Sequence, residues 1–345
     1  MTARGWLRLG AAAALVAFPW LPGVRYSLVV NANQAAEYTL VAASLVILTG
    51  WVGQISLGHG TFVGIGAFAT GLLVRRFGIP FPLNLPIVAL LTAGVATMLG
   101  LVALRVRGLY LAVATLIFAW MADAWLFTSS WLVGEGGASS IEAQQVGGEG
   151  TVTFFDLSDK RVLWLVMLAT VATVIHLAVN LRDSKTGRAF FAVRGSETAA
   201  VSLGIDVTRY KLLAFAVSGA LAGIAGNLVM VDLRAATPFA FQFTTSLFYL
   251  SIAVVGGIAS LGGAVAASVL FAGLSEAFFR LRFLNGLLDI VTVSLLLLVL
   301  LAYPGGLGAL GNAAARRLRP WADSAGAAIA RVRGRLGGGL RALRR

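Results

Sequence analysis

The feature that most constrains this chain is the recurrence of apolar runs about as long as a bilayer is thick. Val162 to Val179 carries no charge, and Leu287 to Leu301 carries one, Asp289. A helix needs roughly 20 mainly apolar residues to cross the hydrocarbon core. Such runs repeat along 345 residues, of which 59% are hydrophobic and 12% charged. A soluble domain is about half apolar and about a quarter charged, so the solvent of this chain is lipid. In lipid every backbone polar group has to be satisfied internally, which helices do within each segment. The alternating strands of a membrane barrel are not found. The predicted fold is all-α: a polytopic transmembrane helical bundle of about ten spans, at 7–23, 28–50, 61–77, 85–104, 109–130, 162–180, 211–232, 245–258, 262–280 and 286–303.

Charges between the spans set the orientation, because cytoplasmic connections collect Lys and Arg. Loop 181–211 holds Arg182, Lys185, Arg188, Arg194, Arg209 and Lys211 against three acids, so it is assigned to the cytoplasm. Loop 131–161 is rich in Gly and Ser and holds Glu135, Glu142, Glu149, Asp156 and Asp159 against Lys160 and Arg161, so it is assigned outside. Arg105 and Arg107 fall inside, as do both termini. Arg75, Arg76, Arg280 and Arg282 fall outside, at helix ends from which they reach the interface. The net charge is +13, of which the nine arginines and one acid of Arg316 to Arg345 supply +8. In a membrane protein this reads as a solvated or headgroup-facing tail, and no nucleic-acid partner is expected. Arg4 and Arg8 ahead of Leu9 to Leu21 resemble the opening of a signal peptide. Phe18, Pro19, Trp20, Leu21 and Pro22 offer no small-residue cleavage site, so a retained first helix is expected. The chain then divides into an N-terminal membrane helix (1–27), a transmembrane domain (28–305) and a basic cytoplasmic tail (306–345).

The absence of cysteine excludes disulfides and thiolate chemistry. No clustered nucleophile, base or metal ligands are seen, so neither a catalytic nor a metal site is expected. Glu37, Asp123, Asp232, Glu276 and Asp289 lie in or near spans, where acids are functional candidates by default; those near helix ends have water as the alternative. Ser218 to Gly226 is the densest small-residue face. It combines Gly219 and Gly223 with Ala222 and Gly226, and tight packing of this kind holds helices together in lipid.

Two segments interrupt apolar runs. Gly53-Gln54-Ile55-Ser56-Leu57-Gly58-His59-Gly60 reads either as a broken helix beside a solute path or as a tight loop between spans. His59 reads either as a packed, hydrogen-bonded side chain or as a solute or proton contact. Gly256-Gly257-Ile258-Ala259-Ser260-Leu261-Gly262-Gly263 is the second. Gly53 to Gly58 and Gly257 to Gly262 share G-x-x-S-L-G, which is either an internal repeat or coincidence in a chain rich in these residues. Breaks or re-entrant turns are therefore expected near 53–60 and 256–263. Gln54, Ser56, His59 and Ser260 are the candidate wall groups of a path. Gly53, Gly58, Gly256, Gly257 and Gly262 are the glycines that permit the breaks. In the cytoplasmic loop, Ser196 suits the N-cap of a helix that starts at Glu197, and Gly204 suits its stop. That short helix is either a knob for a soluble partner or an ordinary surface helix.

The loop resembles the coupling loop of ABC importer permeases, which places Glu-x-Ala-Ala ahead of a Gly: here Glu197, Ala199, Ala200 and Gly204, preceded by Arg194. The text from Gly187 to Lys211 is similar to the LivM-type branched-chain amino acid permease family. So are Gly53 to His59, Leu104 to Tyr110 and Pro304-Gly305-Gly306-Leu307. The chain departs from the family's usual residues at Val201, Ala259, Gly262 and Ala264. The resemblance implies a bacterial inner-membrane subunit that binds no cofactor of its own. It implies a heterodimer with a LivH-type permease, two ATPase subunits that carry ATP-Mg, and an extracytoplasmic solute-binding protein. Its three lysines follow Asp159, Ser184 and Tyr210, so the Gly-Lys of a phosphate loop is missing. Movement of urea or short amides by the same machinery is one alternative. An ion-coupled secondary transporter is the other, and it leaves the coupling loop without a role.

Overall fold

The computed structural model describes residues 13–104, 108–133, 139–140, 157, 159–280 and 305–309, with single positions between 287 and 298. Arg4, Arg8, Arg105, Arg107, Arg282, most of the acidic loop, most of the 286–303 span and the tail after 309 lie outside the described residues.

The chain is an all-α polytopic bundle. Its helices are α1 (Tyr26–Leu45), α2 (His59–Phe77), α3 (Asn84–Ala103), α4 (Leu109–Met121), α5 (Ser130–Val133), α6 (Lys160–Asp183), α7 (Lys185–Gly195), α8 (Glu197–Ser202), α9 (Val207–Leu233), α10 (Phe243–Gly256) and α11 (Leu261–Arg280). A π turn, Val46–Trp51, extends α1, and another, Ala122–Leu126, extends α4. Among the described residues the sole strand pairing is antiparallel, Ser139 and Ser140 (β1) with Ala236 and Ala235 (β2). Four described helices are long and apolar enough to cross a membrane: Asn84–Val102, Lys160–Asp183, Val207–Leu233 and Leu261–Phe278. α1 and α2 are of similar length but carry polar residues: Asn31, Asn33, Gln34 and Glu37 on α1, and Arg75 and Arg76 on α2. Of the expected first span, residues 13–23 are described and include a 3-10 turn at Phe18–Trp20.

α9 is the hub, and its small residues explain why. Its Gly219 and Gly223 lie against Thr92 and Ala96 of α3, while Gly226 lies on the main chain of α2 at Val63 and Ala67. Gly66 of α2 faces the Gly223 backbone in return. Gly219 thus serves α3, Gly226 serves α2, and Gly223 meets both. Close approach gains dispersion contacts, which is what joins helices where lipid is as apolar as the side chains.

A buried polar joint pins the same three helices. Asn227 of α9 donates to Thr70 Oγ1 of α2 at 2.8 Å and to Asn84 Oδ1 of α3 at 3.1 Å. All three side chains are fully buried. Asn227→Leu leaves those groups without their partner, which costs about 1–3 kcal/mol. A lower melting temperature of the purified protein in detergent is the expected result, and an unchanged melt is the opposing one.

At the end of α9 remote from α7 and α8, the long loop is fastened down. Arg75 donates to the carbonyl of Leu132 at 3.1 Å, β1 pairs with β2, and Leu157 is buried. Arg75 therefore clamps the loop, a role beyond the interfacial reach expected of it.

Candidate functional site

The segment Val52–Gly58 joins the π turn to α2 and is not helical. Its first glycine has φ +80°, a conformation open to glycine. Burial then alternates: Gln54, Ser56 and Gly58 point inward, while Gly53 and Ile55 are exposed. The segment ends deep in the bundle. The Leu57 amide donates to Thr115 Oγ1 of α4 at 2.9 Å, and the Gly60 amide to Ser246 Oγ of α10 at 2.9 Å. His59 Nε2 lies 2.6 Å from Ser44 Oγ and 3.5 Å from Ser218 Oγ. Ser218 is eleven residues into α9, about 16 Å along its axis at 1.5 Å per residue. α2 thus begins in the interior, which makes 52–58 a break at membrane depth. Non-helical backbone there is tolerated only where protein or a water-filled cavity covers it.

The second glycine segment is shorter. Residues 257–260 make a tight turn between α10 and α11, closed by the Ser260 amide donating to the Gly257 carbonyl at 2.7 Å. Gly257 has φ +96°, so the two G-x-x-S-L-G segments open alike. They close differently. Ser260 Oγ accepts from the Gly263 amide at 3.1 Å and so caps α11 directly, whereas Ser56 stands three residues ahead of α2 and its buried Oγ has no partner among the described residues.

The two segments touch. Trp51 Nε1 donates to the Ala259 carbonyl at 3.3 Å, and Gly50 lies against the Ile258 carbonyl. Gly257 lies against Gly305 and Gly306, while Gly256 meets Gly263 closely. Gly262 faces open space. Arg194, near the end of α7, donates from Nη1 to the Gly50 carbonyl, and its stem passes Gly53. The loop carrying α7 and α8 is thereby tied to the break by the Arg194 guanidinium and by Phe191 of α7, whose ring lies 5.9 Å from that of Trp51.

α8 sits just beyond this tie. Ser196 Oγ accepts from the Ala199 amide at 3.3 Å, and Gly204 follows with φ +76°. Glu197 is paired with Lys211 of α9 at 2.6 Å, and Lys211 is almost wholly buried. Asp206 caps α9 through the Arg209 amide at 3.1 Å. Ala200 is buried against the loop, Ala199 is exposed, and Val201 and Leu203 stand 62% and 77% exposed. This apolar pair escaped the reading of the sequence. The signal available was two large aliphatic residues in a polar loop, two positions apart.

Residues 27–301 match the family described as branched-chain amino acid transport system / permease component. The chain belongs to this family. It is 32% identical over 312 residues to the high-affinity branched-chain amino acid transport system permease protein LivM of Salmonella typhimurium, covering 85% of this chain and 72% of that one. It is 32% identical to LivM of Escherichia coli strain K12, covering 78% and 67%. The permease protein LivH of Salmonella typhimurium is 30% identical over 53% of each chain. No solved structure matches. The chain is a LivM-type permease component, and the match spans the described helices α1 to α11.

Within this family member the expected path residues do not share one surface. Gln54, Ser56 and His59 are buried, and Ser260 is spent on a helix cap. His59 is fully enclosed and its ring meets Phe62 edge-on at 5.7 Å. Glu37 and Asp232 belong to a separate cluster at the other end of the bundle.

Proposed function

We propose that this LivM-type chain is the non-catalytic, membrane-spanning subunit of an ATP-driven importer of branched-chain amino acids. It works in a heterodimer with a LivH-type permease, two ATPase subunits that bind ATP-Mg, and an extracytoplasmic binding protein that delivers solute. The α7–α8 loop and both termini lie in the cytoplasm of a bacterial inner-membrane protein. The loop 131–161 faces outward, and residues 306–345 form a basic cytoplasmic tail beside the transmembrane domain 28–305. Arg194, Glu197, Ala199, Ala200 and Gly204 build the coupling element. The wall of the path runs beside Gln54, Ser56, His59 and Ser260, whose turns are permitted by Gly53, Gly58, Gly256, Gly257 and Gly262.

The observation that carries this reading is a mechanical connection. α8 presents Val201 and Leu203 to whatever docks beneath it, and Arg194 beside it grips the carbonyl of Gly50 at the head of the break. A push on α8 is delivered to the non-helical stretch 52–58 inside the bundle. Alternating access needs a two-state element of this kind. Selection among solutes rests chiefly with the binding protein.

Vanadate-sensitive uptake of leucine in vesicles, dependent on a separate ATPase, is the expected result. Uptake by this chain alone, driven by a proton gradient, overturns the reading. Glu197→Lys places a second cation against the buried Lys211, and Gly204→Val forces a β-branched residue to φ +76°. Both variants are expected to hydrolyse ATP with uptake reduced about tenfold, the ratio that uncoupling by about 1.4 kcal/mol gives. Full transport in both removes the case for a coupling helix.

A further inference from the structure

Between α1, α6 and α9, at the end of the bundle opposite α8, lies a charged cluster that the coupling machinery does not use. Lys160 Nζ donates to Asp232 Oδ1 at 2.9 Å and also to the Asp232 carbonyl. The Lys160 carbonyl accepts from Asn33 Nδ2 at 3.3 Å. One turn further along α1 is Glu37, 8% exposed, on which the charges of Asp232 and Lys160 both act. Tyr38, beside Glu37 in α1, meets the ring of Tyr249 of α10 edge-on at 6.1 Å.

Lys160 is engaged by Asp232, and no ion pair holds a Glu37 carboxylate among the described residues. Burying such a charge is costly unless something pairs it. The hydrogen bonding points the same way. Asn33 Oδ1 and Glu37 Oε1 are both buried, and neither has a partner among the described residues. Asn33 is fully buried, and its amide is oriented by the bond to Lys160, so the free atom is an acceptor. Asn33 and Glu37 are four residues apart and share one face of α1. Two unfilled polar atoms on successive turns, one of them on a carboxyl that an arriving cation would hold ionised, fit one kind of missing group: a compact cation with several N–H donors. A primary ammonium has one positive charge and three such donors. Lys160 is still 21% exposed, so the cluster lies one side chain below the outer surface.

We infer that Asn33, Glu37 and the Asp232–Lys160 pair form an outer binding station for the α-ammonium group of the transported amino acid. The assignment of an amino acid rests on the function proposed above; the preference for an ammonium rests on the cluster alone. Lys160 neutralises Asp232 and leaves Glu37 and Asn33 to receive the incoming cation. An ammonium passing this station exchanges its water for fixed acceptors, and release inward follows when the α1–α9 contact shifts.

The test uses the purified transport complex that contains this chain. Its thermal melt is recorded in sodium-free buffer with 3-methylbutan-1-amine, which lacks the carboxylate, and with 4-methylpentanoate, which lacks the ammonium. The amine is expected to raise the melting temperature and the carboxylate to leave it unchanged. Glu37→Gln is expected to abolish the amine shift and to raise KM for leucine uptake about ten- to a hundredfold, the loss of one charge-assisted hydrogen bond. Without ligand this variant melts no lower than the parent, because the amide replaces a carboxyl of the same shape that no cation pairs; a purely structural Glu37 predicts a lower melt. Asn33→Leu carries the same readout if Glu37→Gln does not assemble. An amine shift that survives both substitutions, no amine shift in the parent, or an equal shift with sodium alone overturns the station. Failure of the parent complex to take up leucine, with the amine shift intact, counts against the transported solute and leaves the ammonium site standing.

Discussion

Gly226→Leu is expected to leave no assembled bundle: no monodisperse peak on size exclusion in detergent and no cooperative melt. A β-carbon at Gly226 meets the Val63 carbonyl, with the Ala67 nitrogen at 2.8 Å. Both are main-chain atoms of α2, and a helix backbone has no rotamer by which to withdraw. One added carbon costs about 1–3 kcal/mol by overpacking, so Gly226→Ala is expected to lower the melt and still fold. Leucine adds three further carbons and forces α2 off α9. The damage spreads because Gly66 of α2 rests on Gly223 of α9, and Gly223 rests on Thr92 of α3. In water, the expulsion of apolar surface would partly hold such helices together. In lipid, separated helices lose only their packing, and nothing else draws them back. Gly94→Leu, on the exposed side of α3, is the control, because nothing among the described residues lies within 4 Å of a β-carbon there. Its yield and melt are expected to match the parent, and a normal Gly226→Leu protein would show that the α2–α9 crossing carries little of the stability.

What was legible in the sequence was whatever is local or periodic. Apolar runs located α6, α9 and α11 to within a few residues, because a bilayer leaves few options for a run of that length. The Ser196 cap and the start of α8 at Glu197 follow from neighbours in sequence. The break at 53–58 was signalled by polar and glycine residues inside an apolar stretch. Its depth was not, since that is set by partners far away: Thr115, Ser218 and Ser246. Likewise the span expected at 109–130 is α4 followed by a π turn, and no composition signal distinguishes one extra residue per turn. Ser56 and Ser260 occupy the same place in a shared motif, yet one caps a helix and the other does not. The difference lies in how soon the next helix starts, which packing decides. The ion pairs were the least legible. Glu197 with Lys211, and Lys160 with Asp232, join residues 14 and 72 apart, and charge alone does not choose between the many possible partners.

Arg194→Met is expected to separate ATP hydrolysis from transport more completely than any change within α8 itself. The substitution keeps an apolar stem of similar reach past Gly53 and removes every donor. Gly50 is buried against Ile258, and Trp51 next to it holds Ala259, so the carbonyl that Arg194 grips belongs to the joint where both glycine segments meet. The interaction joins residues 144 apart in sequence and links an exposed helix pair to the membrane-depth break. A surface ion pair lost elsewhere on the loop would matter little, because exposed pairs contribute roughly 0–1 kcal/mol. The guanidinium acts differently, since its acceptor is a peptide carbonyl near the end of a buried π turn. Its expected effect on folding is small, because Arg194 is largely exposed. Its effect on coupling is large, because among the described residues no other side-chain hydrogen bond runs from α7 to the Gly50–Val52 turn. Uptake per ATP hydrolysed in proteoliposomes is therefore expected to fall by tenfold or more, with the melting temperature within a degree or two of the parent. Arg194→Lys retains a charge and a donor on a shorter reach, and an intermediate ratio is expected. If Arg194→Met transports with the parent's ratio, motion of α8 reaches the break by another route, through Lys211 and α9, and Glu197→Lys then becomes the more damaging of the two.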